Sequence, residues 1–196
     1  MIDNVRRKTI PSKWYMDEQI LKIEKRNIFS KSWHLFCSTD QISNPGDYKT
    51  MMINDQPIII IKDENNSINA FYNVCQHRGC VLLDNNGNAK SLKCGYHGWV
   101  YDLNGNLKTA RGFDKQKFKI EDFSLKPVEH HVWMNLIFIK LQNECYDIKK
   151  TLTKIEKIIS PIRFDQYSYH SRVSYKINCN WKIYMDNYLE GFHIPI

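Results

Sequence analysis

The chain has 196 residues, of which 42% are hydrophobic, and a formal net charge of +7 at pH 7. This hydrophobic share is ordinary for a globular protein with a buried core. The longest apolar run, Pro57–Ile61, has the length of a strand and is far too short to cross a membrane. Basic residues are scattered rather than gathered into a stripe with interleaved aromatic side chains, which argues against nucleic acid as a partner. Because the N-terminus lacks the apolar segment of a secretory signal, we expect a cytoplasmic protein without a membrane anchor.

The first part of the chain predicts one helix followed by many short strands. Residues 12–34 carry a rough apolar face, with Asp17 as the candidate N-cap. From residue 33 to 141 the pattern changes to short strands separated by turn residues such as Asn44–Asp47, which is typical of an all-β sandwich or barrel. The predicted strands are 33–39, 48–53, 57–62, 69–74, 91–93, 99–103 and 132–141.

The composition changes again near residue 144. Residues 147–160 are predicted to form a helix that Pro161 ends, residues 167–178 alternate like a strand, and residues 180–193 predict the start of another helix. We therefore expect an α+β chain with three segments. They are a helical segment at 1–32, a β domain at 33–141 and the beginning of a second domain at 142–196.

Two loops contain the residues that can bind a metal. Loop 1 is Cys75-Gln76-His77-Arg78-Gly79, and loop 2 is Cys94-Gly95-Tyr96-His97-Gly98-Trp99. Each loop offers one thiolate and one imidazole, which is the ligand set of a Rieske [2Fe–2S] cluster, where two cysteines bind one iron and two histidines bind the other. The predicted ligands are Cys75, His77, Cys94 and His97. Neutral imidazoles raise the reduction potential of such a cluster, so the motif predicts one-electron transfer.

The same four side chains have the donor atoms of a tetrahedral zinc site, and a zinc-bound structural module stays as an alternative. Zinc ligands more often come as Cys-x-x-Cys and His-x-x-x-His pairs, so the alternating order of Cys and His favours the cluster. The loop glycines allow the backbone to pass close to a cluster, and Trp99 is predicted to shield it from water. Three cysteines stand apart from the loops, each beside an apolar run, which predicts that all three are buried core residues: Cys37, Cys145 and Cys179.

The loops with their flanking residues, Asn73–Gly79 and Tyr96–Asp102, resemble the large (alpha) subunits of Rieske non-haem iron oxygenases. This family includes the aromatic-ring-hydroxylating dioxygenases and the choline monooxygenase type, and the resemblance covers nearly the whole chain. It implies an all-β Rieske domain with a leading helix, followed by the start of an α+β catalytic domain. In respiratory Rieske proteins, two further cysteines form a disulfide at positions that match Cys80 and Tyr96. Tyr96 excludes that bridge here and favours the oxygenase branch, which leaves Cys80 as a small packed residue.

The closing segment, Asn180–Ile196, is similar to the first part of the mononuclear iron site of that family, a facial triad of two histidines and one carboxylate. The resemblance implies that His193 is the first Fe(II) ligand. It also implies that Glu190 is the bridging acid, which links a Rieske histidine of one subunit to the iron ligand of its neighbour. Because Glu190 and His193 are three residues apart, we expect both on one face of a helix that Pro195 bends or ends.

The second histidine of the family's triad, five positions after the first, and the later carboxylate are not in the sequence. We therefore expect a fragment that ends inside its second domain and is inactive without the missing iron ligands. The resemblance implies a homotrimer in the full-length form, because the bridge runs between subunits.

For the full-length form, the resemblance implies an oxygenase component. Its cluster would take electrons from a ferredoxin or from a flavin- and iron–sulfur-containing reductase and relay them to mononuclear Fe(II), which uses O2 to hydroxylate a small organic substrate. The segment Asp186–His193 is more similar to the choline monooxygenase type than to the naphthalene type, which favours a quaternary ammonium substrate over a fused aromatic one. The alternative is a stand-alone Rieske electron carrier, for which residues 33–141 would suffice.

Overall fold

The computed structural model describes residues 10–113, 119–191 and 194 of the chain. The backbone packs as two units, Phe29–His170 and a smaller unit that combines Met1–Ile28 with Ser171–Ile196. The predicted domain segments rest on changes in composition rather than on packing, and they stay a prediction. In the described part of the chain, no helix is long and apolar enough to cross a membrane.

The larger unit contains antiparallel strands in three small sheets, which confirms the predicted all-β domain. The sheets have the strand orders β1-β10-β9, β4-β3-β2-β5 and β6-β7-β8. The strands are β1 (Trp33–Ser38), β2 (Asp47–Ile53), β3 (Gln56–Lys62), β4 (Ile68–Tyr72), β5 (Gly87–Asn88), β6 (Leu92–Lys93), β7 (Val100–Tyr101), β8 (Leu107–Thr109), β9 (Glu129–Trp133) and β10 (Leu136–Lys140).

Strand β3 separates two hydrophobic cores. Its four isoleucines, Ile58 to Ile61, are all 0% exposed. Because successive side chains of a strand point to opposite faces, Ile59 and Ile61 pack into one core and Ile58 and Ile60 into the other. The first of these, which we call the loop-side core, contains Ile59, Ile61, Phe71, Cys75, Leu82, Leu92, Cys94, Trp99, Tyr101, Leu103, Leu107 and Leu125. Residues of both loops, Cys75 of loop 1 and Cys94 and Trp99 of loop 2, are therefore part of the same core.

The second core lies between β3 and the sheet formed by β1, β10 and β9. Its fully buried members include Phe36 of β1 and Ile137 and Ile139 of β10. The sequence predicts a single strand at 132–141, but the structure contains the β9–β10 hairpin, in which Trp133 pairs with Leu136. The turn is built from Met134, with φ of 53°, and Asn135. Because this turn contains neither glycine nor proline, the apolar pattern runs through it without a break.

The remaining predictions for the larger unit have mixed outcomes. Helix α2 (Ile148–Ile159) begins after Asp147, whose carboxylate accepts a hydrogen bond from the backbone of Lys149 at 3.0 Å, and it ends before Pro161 as predicted. The strand predicted at 167–178 is wrong, since these residues are assigned to no strand. Among the lone cysteines, Cys37 is buried, but Cys145 is only half-buried and Cys179, which belongs to the smaller unit, is exposed. After residue 141, an alternating apolar pattern therefore did not indicate a strand, and a neighbouring apolar run did not indicate a buried cysteine.

The smaller unit contains two helices, α1 (Glu18–Asn27) and α3 (Trp181–Leu189). Asp17 caps α1 as predicted, by accepting from the backbone N–H of Gln19 at 2.8 Å, but the helix is shorter than the predicted 12–34. Asn180 caps α3 in the same way, through the N–H of Lys182 at 3.1 Å.

A buried ion pair joins the two helices of the smaller unit. Lys182 Nζ of α3 lies 2.7 Å and 2.8 Å from the two carboxylate oxygens of Glu24 in α1. The indole N–H of Trp181 donates to the same carboxylate at 2.9 Å. Nearby, the Tyr15 hydroxyl donates to Asp186 at 2.6 Å, and this hydrogen bond raises the pKa of Tyr15. Helix α3 is thus attached to α1 through Trp181 and Lys182 of its first turn, and to Tyr15, which precedes α1, through Asp186.

Candidate functional site

The two loops share one backbone frame. In loop 1, Cys75 N–H donates to the carbonyl of Cys80 at 2.8 Å and Gly79 N–H donates to the carbonyl of Cys75 at 3.0 Å. In loop 2, Cys94 N–H donates to the carbonyl of Trp99 at 2.8 Å and Gly98 N–H to that of Cys94 at 3.1 Å. The two glycines have the same φ of +70°, a conformation that residues with a Cβ rarely adopt. The backbones of the two loops therefore follow the same turn, but the histidine comes two residues after the cysteine in loop 1 and three residues after it in loop 2.

The two cysteines lie at the buried end of the site. Cys75 is 1% exposed and Cys94 2% exposed, and both belong to the loop-side core. The Tyr101 hydroxyl lies 3.4 Å from Cys75 Sγ and accepts the backbone N–H of Gln76 at 3.0 Å. Since its oxygen already accepts from Gln76, the hydroxyl has its own proton available for the sulfur. Tyr101 was not singled out from the sequence, because an aromatic residue in a core strand carries no sign of such a role.

The acidities of the two thiols differ. Burial raises the pKa of Cys75, although the hydrogen bond with Tyr101 partly opposes this effect. Burial also disfavours ionisation of Cys94, but the backbone N–H groups of Tyr96 and His97 donate to its sulfur, and the net effect lowers its pKa. The thiolate is the form that binds metal, so the frame of loop 2 stabilises the ligand form of its cysteine.

The two histidines lie side by side nearer the surface. Their ring centroids are 4.6 Å apart at an angle of 68°. His77 stacks on Trp99 at 4.8 Å and meets the edge of Phe113 at 5.5 Å, while Tyr96 packs on His97 at 3.8 Å. Trp99 is 1% exposed, in agreement with the predicted shielding role. Burial, together with the nearby positive groups His97 and Arg78, lowers the pKa of His77, so its neutral, metal-binding form is favoured.

The donor atoms fit a two-iron cluster. His77 Nδ1 is buried and has no hydrogen-bond partner among the described residues, which costs a folded protein about 1–3 kcal/mol unless a ligand satisfies the atom. An iron bound to this nitrogen would do so. The described residues contain no group of three or more His, Cys, Asp or Glu side chains that could hold one metal ion. A Rieske cluster needs only two protein ligands for each iron, so the absence of a three-residue group is compatible with it.

Two further residues, Cys80 and Phe113, lie beside the proposed ligands. Cys80 is half-buried, packs against the loop-side core and has a free thiol, as expected from the absence of a second loop cysteine. Phe113 is 41% exposed and lies against both His77 and Trp99. It is distant from the loops in sequence, and no motif marks it, so only the folded structure reveals its contact with His77.

The predicted iron-site residues are described only in part. Helix α3 ends at Leu189, and Glu190 follows it as the C-cap residue with an extended backbone, φ −108° and ψ 147°. The expectation that Glu190 belongs to the closing helix is therefore wrong. The helix was expected to continue until Pro195 bends or ends it, but α3 already ends at Leu189. His193 lies outside the described residues.

Two family models match the chain. The model of the Rieske [2Fe-2S] domain matches residues 32–124, which contain both loops. The model of the ring hydroxylating alpha subunit (catalytic domain) matches residues 164–196, which contain Glu190 and His193. The match to the Rieske domain supports the [2Fe–2S] cluster over the zinc alternative.

Known proteins similar to the chain include two enzymes with quaternary ammonium substrates in their names. Choline monooxygenase from Arabidopsis thaliana is 33% identical, over 97% of this chain and 48% of that protein. The carnitine monooxygenase oxygenase subunit from Escherichia coli K12 is 32% identical, over 94% of this chain and 50% of that protein.

A solved structure agrees with these relatives. The quaternary ammonium Rieske monooxygenase CntA, in complex with L-carnitine, superposes with a TM-score of 0.86 at 30% identity, over 94% of this chain and 54% of that one. The chain thus spans about half the length of the relatives it matches. With a Rieske domain and the first part of a ring-hydroxylating catalytic domain in one polypeptide, the chain belongs to the family of Rieske non-haem iron oxygenase alpha subunits.

Proposed function

We propose that Cys75, His77, Cys94 and His97 bind the [2Fe–2S] cluster, with the two thiolates on one iron and the two imidazoles on the other. The observation that carries this assignment is that loops 1 and 2 bring their two histidine rings within 4.6 Å of each other and hold both of their thiols in the same buried core. The unpartnered Nδ1 of His77 supports it. When bound, the cluster supplies a one-electron couple whose potential is raised by its imidazole ligands.

The surrounding residues give the two ends of the site different roles. Around the cysteines, the loop-side core excludes water and Tyr101 donates to Cys75. Around the histidines, Trp99 and Phe113 cover His77, while Tyr96 packs on the ring of His97. A ligating histidine keeps one ring N–H for an outer hydrogen bond, and this is the natural contact for an electron acceptor. Electrons therefore leave from the histidine end.

In a complete oxygenase component, electrons reach the cluster from a ferredoxin or a flavin- and iron–sulfur-containing reductase. A mononuclear Fe(II) would supply the O2-dependent hydroxylation of a small substrate. His193 would be its first protein ligand, and Glu190 would connect that ligand to His97 of the partner subunit in a trimer. The match of residues 164–196 to the catalytic domain of ring-hydroxylating alpha subunits supports this proposal over a stand-alone electron carrier.

The substrate class that we propose is a small quaternary ammonium compound. Support comes from the choline and carnitine monooxygenases among the relatives and from the similarity to a quaternary ammonium Rieske monooxygenase. In the complete component, consumption of O2 on addition of choline, carnitine or glycine betaine would test this choice, with naphthalene as the comparison. Turnover of naphthalene alone would contradict it.

The first test of the proposed cluster is reconstitution of this chain with iron and sulfide under anaerobic conditions. We expect about two irons and two acid-labile sulfides per chain, and after reduction the electron paramagnetic resonance signal of a mixed Cys/His-ligated cluster. Cys94→Ala is expected to lose the cluster, whereas Cys145→Ala, which removes a half-buried thiol outside the loops, is expected to keep it. A colourless protein that takes up a single zinc would contradict the proposal.

A second test concerns the histidines. His97→Cys replaces a neutral ligand with a thiolate, so the added negative charge is expected to lower the reduction potential by hundreds of millivolts, roughly the difference between Rieske and all-cysteine clusters. A potentiometric titration followed by electron paramagnetic resonance measures this change. An unchanged potential in a variant that retains its cluster would remove His97 from the ligand set.

A further inference from the structure

One face of helix α3 is held to the N-terminal segment at two levels. At the first turn, Lys182 forms the buried ion pair with Glu24 of α1. One turn later, Asp186 accepts a hydrogen bond at 2.6 Å from the hydroxyl of Tyr15, which comes 171 residues earlier in the sequence. Lys182 and Asp186 are four residues apart and therefore lie on the same face of the helix. Tyr15 takes part at both levels, because Lys182 Nζ also lies 5.8 Å from the centre of its ring.

The second half of α3 depends on these polar contacts more than on apolar packing. Its large apolar side chains are exposed: Tyr184, Tyr188 and Leu189. Two contacts on one face, one turn apart, restrict both the tilt of a helix and its rotation about its axis. Asp186 lies four residues before Glu190, where the chain has already left the helix with an extended backbone. The contact between Tyr15 and Asp186 is therefore placed to fix the point at which the chain leaves α3 towards Glu190.

We propose that Tyr15 is a positioning residue for Glu190. Its hydrogen bond with Asp186 fixes the end of α3 from which Glu190 reaches His97 of the partner subunit. This inference rests on the proposed function, because it takes Glu190 as the bridging acid. A carboxylate that accepts the outer ring N–H of a ligating histidine makes that ligand more basic, which favours the oxidised cluster. The reduction potential of the cluster therefore reports whether Glu190 is in contact with the partner subunit's His97.

Four variants of the complete oxygenase component test the inference. Tyr15→Phe removes the hydroxyl and keeps the ring, and Glu190→Gln removes the carboxylate itself. The double variant shows whether the two residues act through the same contact. Tyr184→Phe is the matched control, because it removes a tyrosine hydroxyl from an exposed position of α3. Trimer formation and iron and sulfide content are measured first, and then the midpoint potential by titration followed by electron paramagnetic resonance.

We expect Glu190→Gln to raise the midpoint potential of the cluster, and Tyr15→Phe to raise it by a smaller amount, because the carboxylate is then still present but less well placed. In the double variant, the loss of the hydroxyl should add nothing to the effect of Glu190→Gln. Tyr184→Phe should match the wild type. If Tyr15→Phe does not assemble, Asp186→Ala removes the same hydrogen bond from the other side and is expected to raise the potential in the same way.

The inference would be overturned if Glu190→Gln raised the potential while Tyr15→Phe, or Asp186→Ala in its place, left it unchanged. Effects that simply add in the double variant would also overturn it, because Tyr15 would then act on the cluster independently of Glu190. An unchanged potential in Glu190→Gln would instead overturn the bridge between subunits that the proposed function contains.

Discussion

The side chain in contact with a proposed ligand sulfur adds a hydrogen-bonding group that the sequence motif alone does not contain. Tyr101 is 0% exposed, and its hydroxyl connects the sulfur of Cys75 to the backbone of Gln76. The buried ring and the hydrogen bond from Gln76 hold the hydroxyl oxygen beside the sulfur, where it can donate to a thiolate. We therefore expect this hydrogen bond to contribute to the electrostatics of a bound cluster.

Replacing Tyr101 with Phe removes this donor and leaves the ring in place. We expect the reduction potential to fall by about 40 mV, since a hydrogen bond contributes about 1 kcal/mol and 59 mV corresponds to a tenfold change for one electron. Tyr72→Phe is the control, because the Tyr72 hydroxyl donates to the carbonyl of Leu141 at 3.3 Å and its ring packs against the second core. Equal potentials for the Tyr101 variant and the control would contradict the prediction.

At this scale the sequence pattern predicts the ligands but not their neighbours. Cysteine and histidine have few uses in such a spacing, so the pattern alone is enough to propose them as ligands. Tyr101 and Phe113 have aromatic side chains that a core also needs. Their contacts with Cys75 and His77 depend on how distant segments pack, and no local pattern encodes that.

At the scale of the elements, two turns depend on glycines with a positive φ, Gly79 and Gly105, and the surroundings of these two glycines differ. Gly79 has φ of +70°, and a Cβ there would meet no atom of the described residues within 4 Å. Gly105, in the turn before β8, has φ of +80°, and a Cβ there would lie 2.6 Å from the ring of Phe71 in the loop-side core. The first position therefore requires glycine for its conformation only, and the second for conformation and space.

These two glycines predict unequal costs for the same substitution. Gly79→Ala is expected to destabilise the chain by about 1–2 kcal/mol, the cost of a left-handed conformation with a Cβ. Gly105→Ala adds the overlap with Phe71, which raises the expected loss by about a further 1–3 kcal/mol. Urea unfolding of both variants measures the difference. A loss for Gly79→Ala that equals or exceeds that for Gly105→Ala would contradict this account.

The contact between α1 and α3 depends on a buried charge pair. Glu24 is 7% exposed and Lys182 8% exposed. Lys182→Met leaves the carboxylate of Glu24 without its counter-charge, which is expected to destabilise the smaller unit by about 3–5 kcal/mol. The double variant Glu24→Leu with Lys182→Met is expected to recover much of this loss, because it removes both charges. Unfolding followed by the fluorescence of Trp181 and by circular dichroism measures both effects.

The same pair predicts a dependence on pH. Burial by itself would raise the pKa of Glu24, but the hydrogen bonds from Lys182 and Trp181 outweigh it and hold the pKa below its usual value. The contribution to stability is therefore present above the unfolded-state pKa of about 4.3 and is lost as the pH falls through the lower folded-state pKa. In Glu24→Gln this loss in acid should disappear. A variant that retains the full acid sensitivity would show that other carboxylates cause it.

Whether a helix or strand could be predicted from the sequence depended on whether its signal is local in the sequence. Helix α1 was predicted from its apolar face and the Asp17 cap, and α2 from its apolar face and Pro161, all of which are local signals. The caps of α2 and α3, Asp147 and Asn180, were not singled out from the sequence. The β9–β10 hairpin was not predicted, because its turn has no residue that interrupts the apolar pattern. The strand predicted at 167–178 shows the reverse error, since an alternating pattern forms a strand only where another strand pairs with it.

At the scale of the whole molecule, the function that we propose depends on a connection between subunits. Glu190 follows directly on α3, and its backbone is already extended there. Such a position suits an acid that must reach a histidine of another subunit. The family resemblance, not the geometry of the described residues, assigns that role to Glu190.

In a complete oxygenase component, Glu190→Gln is expected to retain both metals, because neither needs the charge of this residue as a ligand. The transfer of electrons from the reduced cluster to the mononuclear iron should slow by at least tenfold, since the amide cannot accept the ring N–H as a carboxylate does. Single-turnover product formation measures the rate. Glu156→Gln, an exposed change on α2, is the control. Normal single-turnover rates in the Glu190 variant would show that no bridge is needed.

The frame of loops 1 and 2 has a consequence for protein engineering. The hydrogen bonds that shape each loop run between main-chain groups, from Cys75 and Gly79 in one and from Cys94 and Gly98 in the other. The exposed side chains next to the two histidines, Arg78 beside His77 and Tyr96 beside His97, take no part in them. Surface charge and shape next to the histidines can thus be redesigned while the scaffold for the cofactor is preserved. The choice of redox partner could then be changed through a few exposed positions, without altering the main-chain hydrogen bonds that shape the two loops.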